Sequence, residues 1–162
     1  MKILVLSDSH SALRFMRDCV KSVKPDAVIH LGDHYDDGEV IAQEFLQLRV
    51  HQVPGNCDSG RCPMNTHEIL CYPIGGVKFY MTHGHRHGVK QSLFSLLGDA
   101  RANGAQAVLF GHTHCAVCYQ EEDGLWVVNP GSCGAYSGTA AIIETDGEKI
   151  SACRIIGQAD LA

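Results

Sequence analysis

The chain has 162 residues, 45% hydrophobic and 19% charged, with 5 prolines, a length expected to form a single domain over 1–162 and a composition that excludes disorder and low complexity. Thirteen Lys and Arg against 18 Asp and Glu leave a formal charge of −5, the wrong sign for a protein whose main partner is a long nucleic acid. No apolar run reaches the ~18 residues of a membrane span, and the apolar start stops at Ser7-Asp8, too short for a signal-peptide core, so the expected location is cytoplasmic with no membrane partner.

Lys2-Ile3-Leu4-Val5-Leu6 is an unbroken apolar run of the kind buried on both faces of a sheet, and it delivers Asp8 and His10 to the sheet edge. From Leu13 the positions Phe15, Met16, Cys19, Val20 and Val23 recur at helical spacing, with Ser11 as the expected cap and Pro25 as the stop. Residues 27–31 give a second buried strand running into Gly32-Asp33-His34. A second helix is expected over 38–48, with Val40, Ile41, Phe45 and Leu48 on one face. A third strand, 49–53, ends at Pro54-Gly55-Asn56-Cys57-Asp58. Strands are expected at 66–72 and 77–82 around the turn cluster Pro73-Ile74-Gly75-Gly76, the second leading into His83-Gly84-His85. A helix over about 89–102 leads to a strand at 107–110, which ends in Gly111-His112-Thr113-His114. The remainder reads as β: 116–120, 125–128, 139–144 and 149–155, with the loop Asn129-Pro130-Gly131-Ser132 between the second and third.

Ten histidines and 8 cysteines are more than packing calls for. Without a secretion signal, most of the cysteines read as reduced, small buried hydrophobes. Cys115-x-x-Cys118 lacks the second pair of a four-thiolate zinc site, so packing is expected there too. A zinc or redox switch would require Cys57, Cys62, Cys115 and Cys118 to meet. His30, His34, His51, His67 and His87 are expected to be ordinary hydrogen-bonded residues.

Five loops each follow an expected strand and each holds a metal-competent donor: Asp8 with His10, Asp33, Asn56, His83 with His85, and His112 with His114. Loops at the carboxyl ends of strands converge above one sheet edge, so these donors are expected to meet. Imidazole and carboxylate suit divalent ions such as Mn, Fe, Ni, Zn or Mg. Seven or eight donors exceed the needs of one ion and suit two, about 3.5–4 Å apart with Asp33 between them, an arrangement that clamps the attacking and leaving oxygens of a phosphoryl transfer. The glycines of these motifs permit sharp turns and close backbone approach.

The ordered set Asp8-Ser9-His10, Gly32-Asp33, Gly55-Asn56-Cys57-Asp58, Thr82-His83-Gly84-His85 and Gly111-His112-Thr113-His114 resembles the calcineurin-like metallophosphoesterase superfamily, and the short chain resembles its small YfcE-type prokaryotic phosphodiesterase branch. The resemblance implies an α/β fold, a four-layer α/β/β/α sandwich of two mixed sheets flanked by helices. It implies one ion on Asp8, His10, Asp33 and His114 and another on Asp33, Asn56, His83 and His112, and a structural role beside them for the Asn129 loop. Manganese is the ion expected first, with nickel, iron, cobalt, zinc and magnesium compatible with the same donors. It also implies a homodimer or homotetramer.

The expected activity is that of a dinuclear metal-dependent phosphoesterase, with preference for a small phosphodiester or nucleotide derivative. A hydroxide bridging the ions would attack phosphorus in line, with Asn56 and His85 stabilising the transition state. Larger members of the superfamily read Gly-Asn-His at the third motif, where the histidine is thought to protonate the leaving group. This chain has Cys57 there, a thiol able to donate a proton but unable to carry imidazolium charge. The rival reading is a partner-binding scaffold on the same fold, as in the retromer subunit. Such scaffolds commonly lose ligands, whereas each expected position here holds a competent donor.

Overall fold

The computed structural model describes residues 1–161. Strand β1 (Lys2–Leu6) pairs in parallel with β2 (Ala27–His30), and β2 in parallel with β3 (Arg49–Gln52). On the other side of β1 lie β9 (Thr139–Thr145) and β10 (Ile150–Gly157), both antiparallel to their neighbours, giving the order β10-β9-β1-β2-β3. The second sheet contains β4 (Ile69–Ile74), β5 (Val77–Thr82), β6 (Ala107–Leu109), β7 (Val117–Gln120) and β8 (Trp126–Asn129). Its order is β4-β5-β6-β8-β7, with β5, β6 and β8 parallel.

The two-residue period of the strands makes the layers. Ile3 and Val5 of β1 turn toward the second sheet and meet Phe79, Met81 and Leu109 in a core between the sheets. Leu4 and Leu6, one residue out of phase, turn the other way onto α1 (Leu13–Val23) and α2 (Tyr35–Glu44), where Phe15, Met16, Cys19, Val20 and Ile41 cover them. On the far face of the second sheet Tyr80, Val108 and Val127 pack under α3 (Phe94–Ala102) through Leu96 and Ala100. The result is the four-layer α/β/β/α arrangement, each fully buried Leu, Ile or Phe contributing about 1.5–3 kcal/mol.

Several local expectations shift. Ser11 does not cap α1; Ala12 takes that place without a side-chain bond, and Ser11 instead donates its N–H to Asp37. The second helix starts at Tyr35 rather than 38, because the Asp58 carboxylate accepts the Tyr35 N–H at its first turn, and it ends at Glu44, well short of 48. Gly38 lies inside it, where a Cβ would strike the Gln52 side chain. The hairpin turn is only Gly75-Gly76, both at positive φ, so Pro73 and Ile74 belong to β4. Proline is tolerated there because β4 is a sheet edge and needs no N–H on its outer side. The third helix begins at Phe94 rather than 89, with turns filling 88–93.

The expectation that most cysteines are buried does not hold: Cys57 and Cys115 are exposed and Cys62 and Cys71 only partly covered. Cys19 and Cys133 are buried and unbonded, as packing requires, and burial pushes the Cys19 thiol up to about 12. Cys118 is not a simple packing residue: it forms a disulfide with Cys153, joining the outer strands β7 and β10 of the two sheets. Cys115 is free, so the C-x-x-C is not itself bridged, and neither group of candidate metal donors among the described residues contains a cysteine. Among the described residues no helix is long and apolar enough to cross a membrane.

Candidate metal centre

The carboxyl ends of β1, β2 and β3 in one sheet and of β5 and β6 in the other open onto the same edge. Donor atoms of Asp8, His10, Asp33 and His114 lie within 4.8 Å of one another. Asp8 Oδ1 is 3.0 Å from His114 Nε2, and Asp33 Oδ2 is 3.7 Å from His10 Nε2. On the other side of Asp33, His83 Nε2 stands 3.6 Å from Asp33 Oδ1 and 3.1 Å from Asn56 Oδ1. The His112 ring centroid is 5.1 Å from that of His83, and His85 lies 5.4 Å from His83 and 6.1 Å from His112. All seven expected donors thus meet, with Asp33 between two groups and His85 and the exposed Cys57 at the rim.

Backbone geometry aims them. Asp8, His10, Asp33, His112 and His114 all have φ between 41° and 66°, the left-handed region, where each non-glycine residue costs about 1–3 kcal/mol. Surrounding bonds offset that cost. Asp58, itself buried, accepts the N–H of Asp33, Gly55 and Tyr35 and so ties the β2 loop to the β3 loop. Ser7 Oγ and the His112 N–H both donate to Asp8 Oδ2, fixing that carboxylate with its other oxygen turned to the site. The Asn129 loop braces the same region: Asn129 Nδ2 donates to the Gly111 carbonyl and Ser132 Oγ to the Asp8 carbonyl. A Cβ on Gly55 would strike Asp33 Oδ1, and one on Gly111 would strike Ser7 Oγ and Asp8 Oδ2, so both glycines are needed for close approach.

Four features bear on whether the site suits a cation. Asp8 Oδ1 is buried and, although His114 Nε2 stands 3.0 Å away, receives no well-formed hydrogen bond, a costly state for a carboxylate oxygen unless something positive faces it. His83 Nδ1 sits 2.7 Å from the Leu31 carbonyl, which only accepts, so the proton is on Nδ1. In the neutral ring Nε2 is then a lone pair facing the Asn56 oxygen, two acceptors that a cation between them would reconcile. Burial and then His83 hold His112 below its ordinary value, favouring the neutral imidazole that ligation needs. Burial works against ionisation of Asp33, but the Cys57 N–H bond with His83 and His10 overcomes it and holds the carboxyl below its usual range. The donor set fits divalent ions.

The remaining histidines mostly find ordinary partners: His51 bonds Tyr72, and His87 meets Tyr80 and Asp99. His34 bonds Ser11 and packs edge-on against His10, 5.1 Å between centroids. It also groups with Asp36 and Asp37. His30 is fully buried against Ser9, and burial, outweighing nearby Asp37, pushes it down to about 4. The folded protein therefore binds fewer protons there than the unfolded chain between about pH 6.5 and 4, and stability falls as pH drops through that window, by at most about 1.4 kcal/mol per unit from this group. Urea denaturation at pH 7, 6 and 5 is expected to show a shallower pH slope for His30→Gln than for the wild-type chain; equal slopes would refute the assignment.

Residues 1–148 match the Calcineurin-like phosphoesterase superfamily domain, and the chain belongs to that family. It is 34% identical over 135 residues to a probable metallophosphoesterase of Mycoplasma pneumoniae, covering 81% of this chain and 78% of the relative. A phosphodiesterase of Methanocaldococcus jannaschii is 30% identical over 165 residues, covering 92% and 95%. Among solved structures, Vps29 of Entamoeba histolytica complexed with zinc superposes with a TM-score of 0.74 over 97% of this chain and 99% of that one, at 20% identity, a likeness of fold. The homologues' names are consistent with a hydrolase.

Sequence reasoning missed Ser7, Asp58 and Asp37 as supports. Asp37 accepts from Ser9 Oγ and the Ser11 N–H and so secures the Asp8-to-His10 loop.

Proposed function

We propose that the chain is a dinuclear metal-dependent phosphodiesterase acting on a small phosphodiester or nucleotide derivative. The supporting observation is the position of Asp33 between two donor groups, Asp8, His10 and His114 on one side and Asn56, His83 and His112 on the other. Divalent ions held there would lower the pKa of water and neutralise phosphate charge, with manganese the first ion to supply.

Hydrolysis adds the oxygen of water to phosphorus and breaks the ester bond opposite, and the leaving oxygen takes a proton. Asn56 and His85, on the cavity side of the centre, are the groups assigned to the charge that builds on phosphate oxygens. Cys57 is assigned the leaving-group side: partial desolvation at the rim, then the Asp33 carboxylate, raise its pKa, so it carries its proton at neutral pH. A neutral thiol is a weaker acid than imidazolium, and esters with poor leaving groups are expected to react more slowly.

Metal-stripped protein is expected to be inert toward bis-p-nitrophenyl phosphate and to regain turnover with Mn, Ni, Zn or Mg, with the diester favoured over p-nitrophenyl phosphate. Two bound ions per chain without turnover would overturn this reading in favour of a partner-binding scaffold.

A further inference from the structure

A cavity of about 620 Å³ opens beside Asn56 and His85, between the 54–68 loop and Arg86. That volume falls within the ~300–1,000 Å³ of sites for drug-sized ligands, and contact with Asn56 makes it continuous with the centre. A phosphodiester bound at the centre carries two organic groups, and this cavity is placed to take one of them.

Charge decides what that group can be. The only Arg or Lys in the lining is Arg86, and its guanidinium is already paired with the Glu68 carboxylate. Asp58, the other acid in the wall, is buried with its oxygens occupied by three backbone N–H groups. Among the lining residues an anionic substituent would thus meet Glu68 with no unpaired Arg or Lys beside it; Arg61, on the same loop, is exposed and lies outside the lining. The rest of the wall is uncharged: Pro54 and Pro63 offer apolar faces, Ser59 a hydroxyl, and Met64, fully exposed, a flexible apolar side chain of the kind that adapts to varied ligands.

Building on the phosphodiesterase reading, we infer that this cavity is the subsite for an uncharged organic substituent of the substrate, of aryl or nucleoside size, and that Glu68 determines specificity by rejecting a substituent with a second negative charge. Glu68 acts on selection rather than on the reacting atoms.

Symmetric diesters test this whichever end enters the cavity. The comparison is kcat/KM on bis(p-nitrophenyl) phosphate and bis(4-carboxyphenyl) phosphate for the wild-type chain, Glu68→Gln and Arg86→Gln, with the loaded protein. Glu68→Gln frees Arg86 and is expected to raise the charged-to-neutral ratio by about threefold or more, while Arg86→Gln leaves Glu68 unopposed and is expected to lower it. Both shifts should shrink as salt rises. A loss of structure would depress both substrates alike and is read separately, by circular dichroism of each variant, before its ratio is compared. Ratios that do not move in opposite directions would overturn the subsite while leaving the phosphodiesterase reading intact. Absence of turnover on the neutral diester with every metal would overturn that reading and the subsite with it.

Discussion

Asp33→Ala is expected to abolish metal-dependent hydrolysis of bis-p-nitrophenyl phosphate, a loss well beyond the ~10–100-fold that follows removal of an outer hydrogen-bond partner. Asp33 Oδ2 faces His10 and Oδ1 faces His83, 3.7 and 3.6 Å away. Asp8 Oδ1 also reaches toward both groups, 3.0 Å from His114 and 3.9 Å from His83, but Asp33 gives each group its own carboxylate oxygen, so its removal leaves both short and the site with too little negative charge to hold divalent cations. Metal content of the purified variant, read by mass spectrometry, is expected to fall below that of the wild-type chain under the same loading. Cys57→Ala provides the contrast. Cys57 is exposed, and its backbone N–H to Asp33 survives the substitution. Its loss should therefore leave metal content alone and lower turnover modestly, most for esters with poor leaving groups. Equal, small losses in the two variants would overturn both assignments.

Much of the arrangement was legible in residues because the chemistry is delivered by the ends of buried strands. Lys2–Leu6 and Ala27–His30 are apolar without interruption, and where such a run stops at Ser7-Asp8 or Gly32-Asp33 the chain must turn at the sheet edge. Order along the chain then fixed which loops share that edge, since β1, β2 and β3 run parallel. Helix limits were less legible. The onset of α2 at Tyr35 depends on an acceptor 23 residues away, Asp58, and local propensity holds no trace of that bond. Likewise the partner of Cys118 is 35 residues distant on another sheet, and nothing local distinguished it from a packing cysteine. Supports such as Ser7 and Asp37 are common residue types whose role exists only once the loops are assembled.

Asp58→Ala should be the most damaging substitution outside the donor set. The side chain is almost fully buried and accepts N–H bonds from Asp33 at 3.0 Å, Gly55 at 2.7 Å and Tyr35 at 2.8 Å. Alanine would leave three backbone donors without their acceptor, the Asp33 N–H buried and the other two part-buried, and a buried unsatisfied group costs about 1–3 kcal/mol, so a loss of at least that size is expected in urea denaturation. The same bonds hold Asp33 in its left-handed conformation, φ 57°. Released from them, the residue can relax toward ordinary backbone geometry and carry its carboxylate away from His10 and His83. Metal affinity measured by calorimetry is expected to fall ~10–100-fold in the fraction that remains folded. Asp58→Asn separates the two effects, since its single carbonyl oxygen can still accept but its amide cannot. Intermediate stability with a comparable loss of affinity is expected, and full affinity in Asp58→Asn would show that Asp58 supports the fold without aiming Asp33.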